Sequence, residues 1–329
     1  MKLSIKSILK IVLPLAFGLG LVYFFYIKLS EENKQQIFES FVSANYWWLL
    51  ASGIFTVLSQ AFRAKRWQML VDSLGYEITF LKAFSAVSVN YLVNTAIPRA
   101  GEFARCGVIA RYDKVPIQKS IGTLFNERAI DLLSLAIIGV MTFFLQYEVF
   151  MIFMREYIFP TMDGFFGKII NIVIAGGVIL LIGLALFILY KKGKLQLNDK
   201  LKTLLSDVAS GVFSIRYLKS PTWFTIYTLA TWVCYFIMIY LVFFTLPESS
   251  NLPFGATLSV LFFGTFGFIA VQGGLGVYPI IISYTLAMYG LGETYGFTLG
   301  WIMWIGQTIE ILVTSLFSFI YLSTQEKKG

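Results

Sequence analysis

Residues 90–105, NYLVNTAIPRAGEFAR, interrupt a long apolar run with helix-breaking residues and charges. Pro98 lacks an amide hydrogen and disfavours a helical Ile97, whereas Gly101 permits an unusual backbone path. Two topologies are open: either this segment spans a membrane, or the chain turns here and returns to the side from which it came. We favour the second, a re-entrant hairpin, because it keeps the basic residues of 111–119 on the cytoplasmic side.

The composition is that of a polytopic membrane protein. Of the 329 residues, 57% are hydrophobic and 13% are charged, whereas soluble domains carry about 25% charged residues. A net charge of +8 would suggest nucleic acid for a soluble protein, but membrane proteins concentrate Lys and Arg in cytoplasmic loops. We therefore expect membrane lipids as partners and no nucleic acid. The chain has no His and only two distant Cys in apolar settings, so no metal and no cofactor are expected.

Six apolar runs are long enough to cross a membrane core of roughly 30 Å. They cover residues 8–27, 46–62, 121–146, 169–190, 222–246 and 297–322. The basic residues that flank these runs predict that both termini are cytoplasmic and that residues 1–329 form a single transmembrane domain. Arg63, Lys65 and Arg66 are interpreted as one such basic loop, close to anionic headgroups. A helix lying along the surface is predicted over residues 201–213.

A second apolar segment, residues 255–289, breaks at residues 272–279, QGGLGVYP. No Lys or Arg lies between Lys219 and Lys327, so this hairpin is expected to open to the outer face. The predicted fold class is all-α: a polytopic integral membrane protein with about six spanning helices and two broken re-entrant hairpins in a pseudo-repeat. Such paired interruptions indicate a binding site near the membrane midplane of a transporter. The alternative is that the glycines only allow close helix packing.

The helix after the first break carries Glu127, Arg128 and Asp131 within an apolar run. Their spacing places Glu127 and Asp131 on one helical face and predicts that Arg128 pairs with Asp131. A charge at the bilayer centre costs roughly 2.5–3.5 kcal/mol even on lenient scales, so intramembrane charges are functional by default. The alternative is that these ion pairs only hold helices together.

Three charged residues of the first break, Arg99, Glu102 and Arg105, are spaced by three and would share one side of a helix. Their arginines suit a phosphate and their carboxylate a cationic group; a role in helix capping is the alternative. Glu310, in the last span, either joins this site or is protonated and hydrogen-bonded to Gln307. The predicted substrate-binding set is Arg99, Glu102, Arg105, Glu127, Arg128, Asp131, Gly273, Gly274, Gly276 and Glu310.

Residues 94–105, NTAIPRAGEFAR, and 126–131, NERAID, resemble the flippase-like membrane domain of lysylphosphatidylglycerol synthases. The resemblance covers roughly residues 8–322 and implies lipid handling or translocation. In that family the later motif reads proline-glycine-glycine-x-glycine followed soon by a glutamate; here Gln272 replaces the proline, and the next glutamate is Glu293. The chain ends just after the last span, so we expect the stand-alone form without an aminoacyl-transferase domain.

The expected function is lipid translocation across the bacterial cytoplasmic membrane, without catalysis, with Arg99, Arg105 and Arg128 as headgroup ligands. One alternative is a membrane-embedded transferase acting on a lipid-linked substrate, with Glu102 and Glu127 as its acid and base. Against it, the sequence has no nucleotide-binding glycine loop, metal cluster or nucleophile beside a base. The other alternative is a non-transporting scaffold whose partners are envelope enzymes.

Overall fold

The computed structural model describes residues 29–97, 99–153 and 199–326, and isolated positions at 20, 23, 27 and 155. All regular structure in these residues is helical. The α-helices are α1 (Glu31–Ser43), α2 (Tyr46–Asp72), α3 (Phe80–Ala96), α4 (Ala100–Asp113), α5 (Ile117–Leu145), α6 (Tyr147–Phe153), α7 (Asp199–Val212), α8 (Pro221–Val242), α9 (Phe254–Ala270), α10 (Val277–Ala287) and α11 (Glu293–Glu326). Short 3-10 helices cover Phe213–Tyr217, Phe243–Thr245, Pro247–Ser249 and Gln272–Gly274. Pro98, the predicted span 169–190 and nearly all of the predicted span 8–27 lie outside the described residues.

Among the described helices, three are long and apolar enough to cross a membrane: Ile117–Leu145, Pro221–Thr245 and Glu293–Gln325. Helices α1 and α2 pass the same test together, although the chain bends by 72° between them. Four of the predicted spans therefore correspond to helices of the structure, namely α2, α5, α8 and α11. The protein is an all-α polytopic membrane protein, as predicted.

Helix α2 is longer than its apolar run suggests. The sequence predicts a span that ends at residue 62, but the helix continues to Asp72. Trp67, in this continuation, is fully buried, so the added turns belong to the protein core. Arg63 and Arg66 are buried as well, and the interpretation of these two residues as a basic surface loop is wrong.

Helices α3 and α4 form a hairpin around the first break. Arg99 adopts a left-handed conformation (φ 59°) directly before α4 begins. Lys82, near the start of α3, forms a 2.5 Å ion pair with Asp113, the last residue of α4. The two helices are therefore antiparallel, and the chain reverses direction as the hairpin topology requires.

Helices α9 and α10 form the second hairpin. The hydroxyl groups of Ser259, near the start of α9, and Tyr289, just after α10, lie 2.7 Å apart. The turn between the helices contains three glycines with positive φ, Gly273, Gly274 and Gly276. Because side-chain-bearing residues rarely adopt this conformation, the glycine-rich sequence explains why the chain can reverse here.

The order of elements repeats: a long helix, a hairpin and a second long helix. In the first half these are α2, α3 with α4, and α5; in the second they are α8, α9 with α10, and α11. The halves pack through α2 against α8, and through α11 against α2 and α3. Helix α3 also contacts the Gln272–Gly274 turn, so the second break lies against the first hairpin.

The predicted helix over residues 201–213 corresponds to α7, which packs against α5. At this contact Gly122 and Gly211 bring the two backbones together: a Cβ atom added at Gly122 would lie 2.4 Å from the carbonyl oxygen of Val208.

Candidate functional site

A large cavity lies between the two halves of the structure. Its volume is about 1500 Å³, above the roughly 300–1,000 Å³ that is typical of small-molecule pockets. Both breaks contribute to its wall, through Arg99 in the first and through Gly273 and Leu275 in the second. Its polar lining includes Thr56, Ser59, Gln60, Arg63, Asn90, Tyr91, Asn94, Thr95, Glu102, Arg128, Asp131, Tyr235, Trp304, Gln307, Thr308 and Glu310.

One wall of the cavity is backed by a buried cluster of charges centred on Glu127. This side chain is fully buried, and its carboxylate accepts hydrogen bonds from Arg63 Nε at 2.7 Å and from Arg105 Nη2 at 2.6 Å. Arg66 Nη2 lies 3.6 Å from the same carboxylate and donates to Asp131 at 2.6 Å. Arg63 also donates to Asp131, at 3.2 Å. The cluster thus combines three arginines with two carboxylates.

The positions of these residues along their helices explain the cluster. Arg63 and Arg66 are three residues apart on α2, and Glu127 and Asp131 are four apart on α5, so each pair shares a helical face. Glu127 lies about ten residues, or roughly 15 Å, into α5. The apolar run begins at residue 121, so Glu127 lies inside a candidate membrane span, about 9 Å from the start of that run.

Aromatic side chains enclose the arginines. The guanidinium carbon of Arg105 lies 4.7 Å from the centre of the Trp67 ring, and the indole of Trp67 donates a 3.0 Å hydrogen bond to Thr123. Arg63 donates a 3.1 Å hydrogen bond to the hydroxyl of Tyr91. Leaving any of these guanidinium groups without a partner would be expensive, because a buried charge needs both a counter-charge and hydrogen bonds.

Arg128 has a different partner from the one predicted. The sequence spacing predicts a pair between Arg128 and Asp131, but Arg128 donates to Glu102 on α4, while Asp131 binds the arginines of α2. The Arg128 side chain is 48% exposed, and both Arg128 and Glu102 line the cavity. This pair therefore stands at the wall of the cavity rather than in the buried cluster.

The first break holds Arg99 at the cavity. The main-chain amide of Gly101 donates a 2.9 Å hydrogen bond to Asn94 Oδ1, which ties the start of α4 to the end of α3. A Cβ atom at Gly101 would lie 2.0 Å from the carbonyl oxygen of Asn90, so only glycine fits at this contact. Arg99 precedes the helix rather than sharing a helical side with Arg105, so the predicted common face holds only for Glu102 and Arg105.

The second break is held by a tryptophan of the last helix. Trp304 Nε1 donates a 2.7 Å hydrogen bond to the carbonyl oxygen of Gly273, and both residues line the cavity. Gly274 and Gly276 are buried in the turn. They shape the backbone without lining the cavity.

Glu310, on α11, lines the cavity and has an amide partner instead of an arginine. Gln60 Nε2 donates to both carboxylate oxygens of Glu310, at 2.9 and 2.8 Å. The hydrogen-bond partner is Gln60 and not the predicted Gln307, which also lines the cavity.

The cavity also has an apolar part that is continuous with the outer surface of the helices. Leu132 and Leu135 on α5 and Phe268 and Ile269 on α9 line it. Leu132 is 69% exposed and Ile269 is 63% exposed. These two side chains join the polar interior to a surface that suits hydrocarbon.

The structure places the predicted residues in three groups. Those that line the cavity are Arg99, Glu102, Arg128, Asp131, Gly273 and Glu310. Arg105 and Glu127 lie behind its wall, and Gly274 and Gly276 lie within the second turn. Gln60, Arg63 and Arg66 are not among the predicted site residues, although their spacing of three is the pattern of one helical face. Among the described residues, no group of three or more His, Cys, Asp or Glu side chains is placed to hold a metal ion.

A family model described as the lysylphosphatidylglycerol synthase TM region matches residues 11–309. The chain belongs to this family. No curated protein and no solved structure matches it. In this member of the lysylphosphatidylglycerol synthase TM family, the matched region contains both breaks and the whole arginine cluster, and Glu310 lies one residue beyond it.

Proposed function

We propose that the protein moves phospholipids or lipid-linked headgroups between the two leaflets of the bacterial cytoplasmic membrane, with both termini on the cytoplasmic side. The observation that carries this proposal is the cavity of about 1500 Å³ that both helix breaks line. A polar headgroup needs such a shelter, because an unsatisfied polar group in hydrocarbon costs several kcal/mol. Membership of the lysylphosphatidylglycerol synthase TM family supports a role with lipids.

Arginines on the cavity wall are suited to the phosphate of a headgroup. Arg63, Arg99 and Arg128 all line the cavity, and the planar guanidinium group binds phosphate through two parallel hydrogen bonds. Arg63 and Arg128 already bind carboxylates. Within the described residues, Arg99 forms no ion pair and is exposed, so we assign it as the first ligand of the headgroup.

The apolar edge of the cavity gives a route for the lipid tails. Leu132 and Ile269 line the cavity and are also exposed on the outside of the bundle. A lipid can therefore keep its acyl chains in the bilayer while its headgroup enters between α5 and α9. This arrangement needs no enclosed pore wide enough for a whole lipid.

The test is a lipid translocation assay on the full chain in vesicles that contain fluorescent phosphatidylglycerol, with dithionite added outside to quench the outer leaflet. Removing one charged hydrogen-bonding partner costs about 1.5 kcal/mol or more, so Arg99→Gln is expected to lower the translocation rate roughly tenfold. Arg99→Lys keeps the charge but cannot bind phosphate through two parallel hydrogen bonds. Its translocation rate should lie between the rates of wild type and Arg99→Gln. Arg216→Gln, an exposed arginine outside the cavity, is the matched control and should behave as wild type.

Equal rates for wild type and Arg99→Gln would remove Arg99 from the headgroup site. If wild-type vesicles move no lipid but form a product from a lipid-linked donor, the protein is a transferase. If the protein retains lipid without moving or modifying it, the scaffold function is supported instead.

A further inference from the structure

Glu310 is the one carboxylate on the described cavity wall that no cation neutralises. Asp131 binds Arg63 and Arg66, and Glu102 binds Arg128. Glu310 is 8% exposed, and within the described part of the chain no Lys or Arg nitrogen lies within 4 Å of it. The ionised carboxylate is held by two hydrogen bonds from the Gln60 amide but has no counter-charge, so a further negative charge nearby favours its protonated form.

The amide partner of Glu310 has one buried hydrogen-bond acceptor that stays unsatisfied among the described residues. The amide of Gln60 donates to both oxygens of the Glu310 carboxylate. Gln60 is itself 3% exposed, and its Oε1 atom is buried without a donor among the described residues. A proton on the Glu310 carboxyl would add a hydrogen-bond donor next to this acceptor.

The other helices that contact α11 bring no compensating charge to Glu310. Helix α11 packs against α1, α2, α3, α8 and α10. The titratable side chains that these helices place on the cavity are Arg63, Tyr91, Tyr235 and Tyr278. Of these only Arg63 is charged at neutral pH, and it is paired with Glu127 and Asp131.

The position of Gln60 connects Glu310 to the proposed headgroup site. Gln60 precedes Arg63 by three residues on α2, so the two side chains lie about one helical turn apart, roughly 5 Å. A phosphate bound at Arg63 is then close enough to Glu310 to repel the negative charge of its carboxylate across a poorly hydrated cavity. A proton on Glu310 removes this repulsion.

We propose that Glu310 is a proton-binding site that takes up a proton when an anionic headgroup enters the cavity and releases it when the headgroup leaves. This inference rests on the proposed lipid translocation. The proton comes from water, adds to a Glu310 carboxylate oxygen and returns to water, so the lipid and a proton cross together. A proton suits this place better than a metal cation, because among the described residues no group of three or more carboxylates surrounds Glu310 to coordinate a metal ion.

The first experiment measures proton uptake by the purified full chain in weakly buffered detergent with a pH-indicating dye. Dihexanoyl phosphatidylglycerol, added below its micelle concentration, is the probe. Wild type should take up protons with a stoichiometry approaching one per bound headgroup, and Glu310→Gln should take up none. Glu293→Gln is the matched control, because Glu293 is exposed at the start of the same helix, and its uptake should equal that of wild type.

The second experiment measures translocation of fluorescent phosphatidylglycerol in vesicles with a pH gradient of either direction. Wild-type rates should change several-fold when the gradient is reversed, whereas Glu310→Gln should lose this dependence. Should Glu310→Gln not fold, Gln60→Met serves instead: it should change the pH midpoint of proton uptake while leaving the stoichiometry intact.

The outcomes separate the two proposals. Equal proton uptake by wild type and Glu310→Gln, or translocation that depends on Na⁺ and not on pH, overturns the proton site alone. If wild type moves lipid but takes up and releases no protons, the proton site is overturned as well. A wild-type protein that neither binds nor moves the lipid overturns the proposed function, and the proton site with it.

Discussion

Glu127→Gln tests whether the buried charge cluster holds the first half of the protein together. The substitution keeps the size of the side chain and removes its charge. Arg63 and Arg66 retain Asp131 as a partner, but Arg105 has Glu127 as its only described carboxylate. Arg105 is 1% exposed, so the variant leaves a guanidinium charge buried without a counter-charge.

The expected loss is large for a single substitution. Removing one partner of a buried ion pair costs about 3–5 kcal/mol, since the remaining charge stays desolvated. Glu102→Gln is the matched control: its partner Arg128 is half exposed, and exposed ion pairs contribute about 0–1 kcal/mol. The double variant Glu127→Gln with Arg105→Met removes the stranded charge as well and should be more stable than Glu127→Gln alone.

The assay is unfolding of the purified protein by SDS in mixed micelles, followed by tryptophan fluorescence and extrapolated linearly to zero denaturant. Trp67, on whose ring Arg105 stacks, contributes to this signal together with the other six tryptophans. The reasoning is refuted if Glu127→Gln loses less than about 1 kcal/mol, or no more than Glu102→Gln, because neither is compatible with a buried uncompensated charge.

Two further substitutions test the helix breaks with the same unfolding assay. Gly101→Ala should lose about 1–3 kcal/mol or more through overpacking, because the new methyl group would lie 2.0 Å from the Asn90 carbonyl oxygen. Gly107→Ala, on the same helix with nothing within 4 Å, should be neutral or slightly stabilising; a loss of similar size in both variants would contradict the close-contact argument. Trp304→Phe should cost about 1 kcal/mol by removing the donor to Gly273, whereas Trp223→Phe, at an exposed site, should change stability by less than about 0.5 kcal/mol. Indistinguishable values for the two tryptophan variants would show that this hydrogen bond does not hold the second turn.

Local sequence is sufficient to predict the hairpins. A glycine at 101 and three glycines at 273–276 interrupt apolar runs, and their effect on the backbone depends on the residue type alone. The structure adds the contacts that these glycines serve, such as the approach of Gly101 to Asn90. Helix existence was therefore predictable, and so was the repeated order of long and broken helices.

The pairing of charges was not predictable from local spacing. Arg63 and Glu127 are separated by 64 residues, and a basic group at the end of an apolar run has the same local pattern as a cytoplasmic loop. The prediction that Arg128 pairs with Asp131 used the three-residue spacing on one helix. In the folded protein, Asp131 binds the arginines of α2, and Arg128 binds Glu102 on another helix.

The arrangement of charges suggests how one site can be both stable and functional. The buried cluster holds three arginines and two carboxylates, so positive charge remains in excess, and its ion pairs join α2, α4 and α5. Arg99 and Glu310, which lack such ion pairs among the described residues, stand on opposite halves of the cavity lining. Substitutions in the buried cluster should therefore lower mainly the free energy of unfolding. Substitutions at Arg99 and Glu310 should change mainly the translocation of lipid.

The most direct test of the central claim is a cryo-electron microscopy map of the full chain in nanodiscs that contain phosphatidylglycerol. We predict lipid density that enters between Leu132 and Ile269, with its phosphate within hydrogen-bonding distance of Arg99 or Arg63. A map in which lipids occur only on the outer surface, and in which Arg99 and Glu310 face separate aqueous surfaces instead of one cavity, would contradict the account.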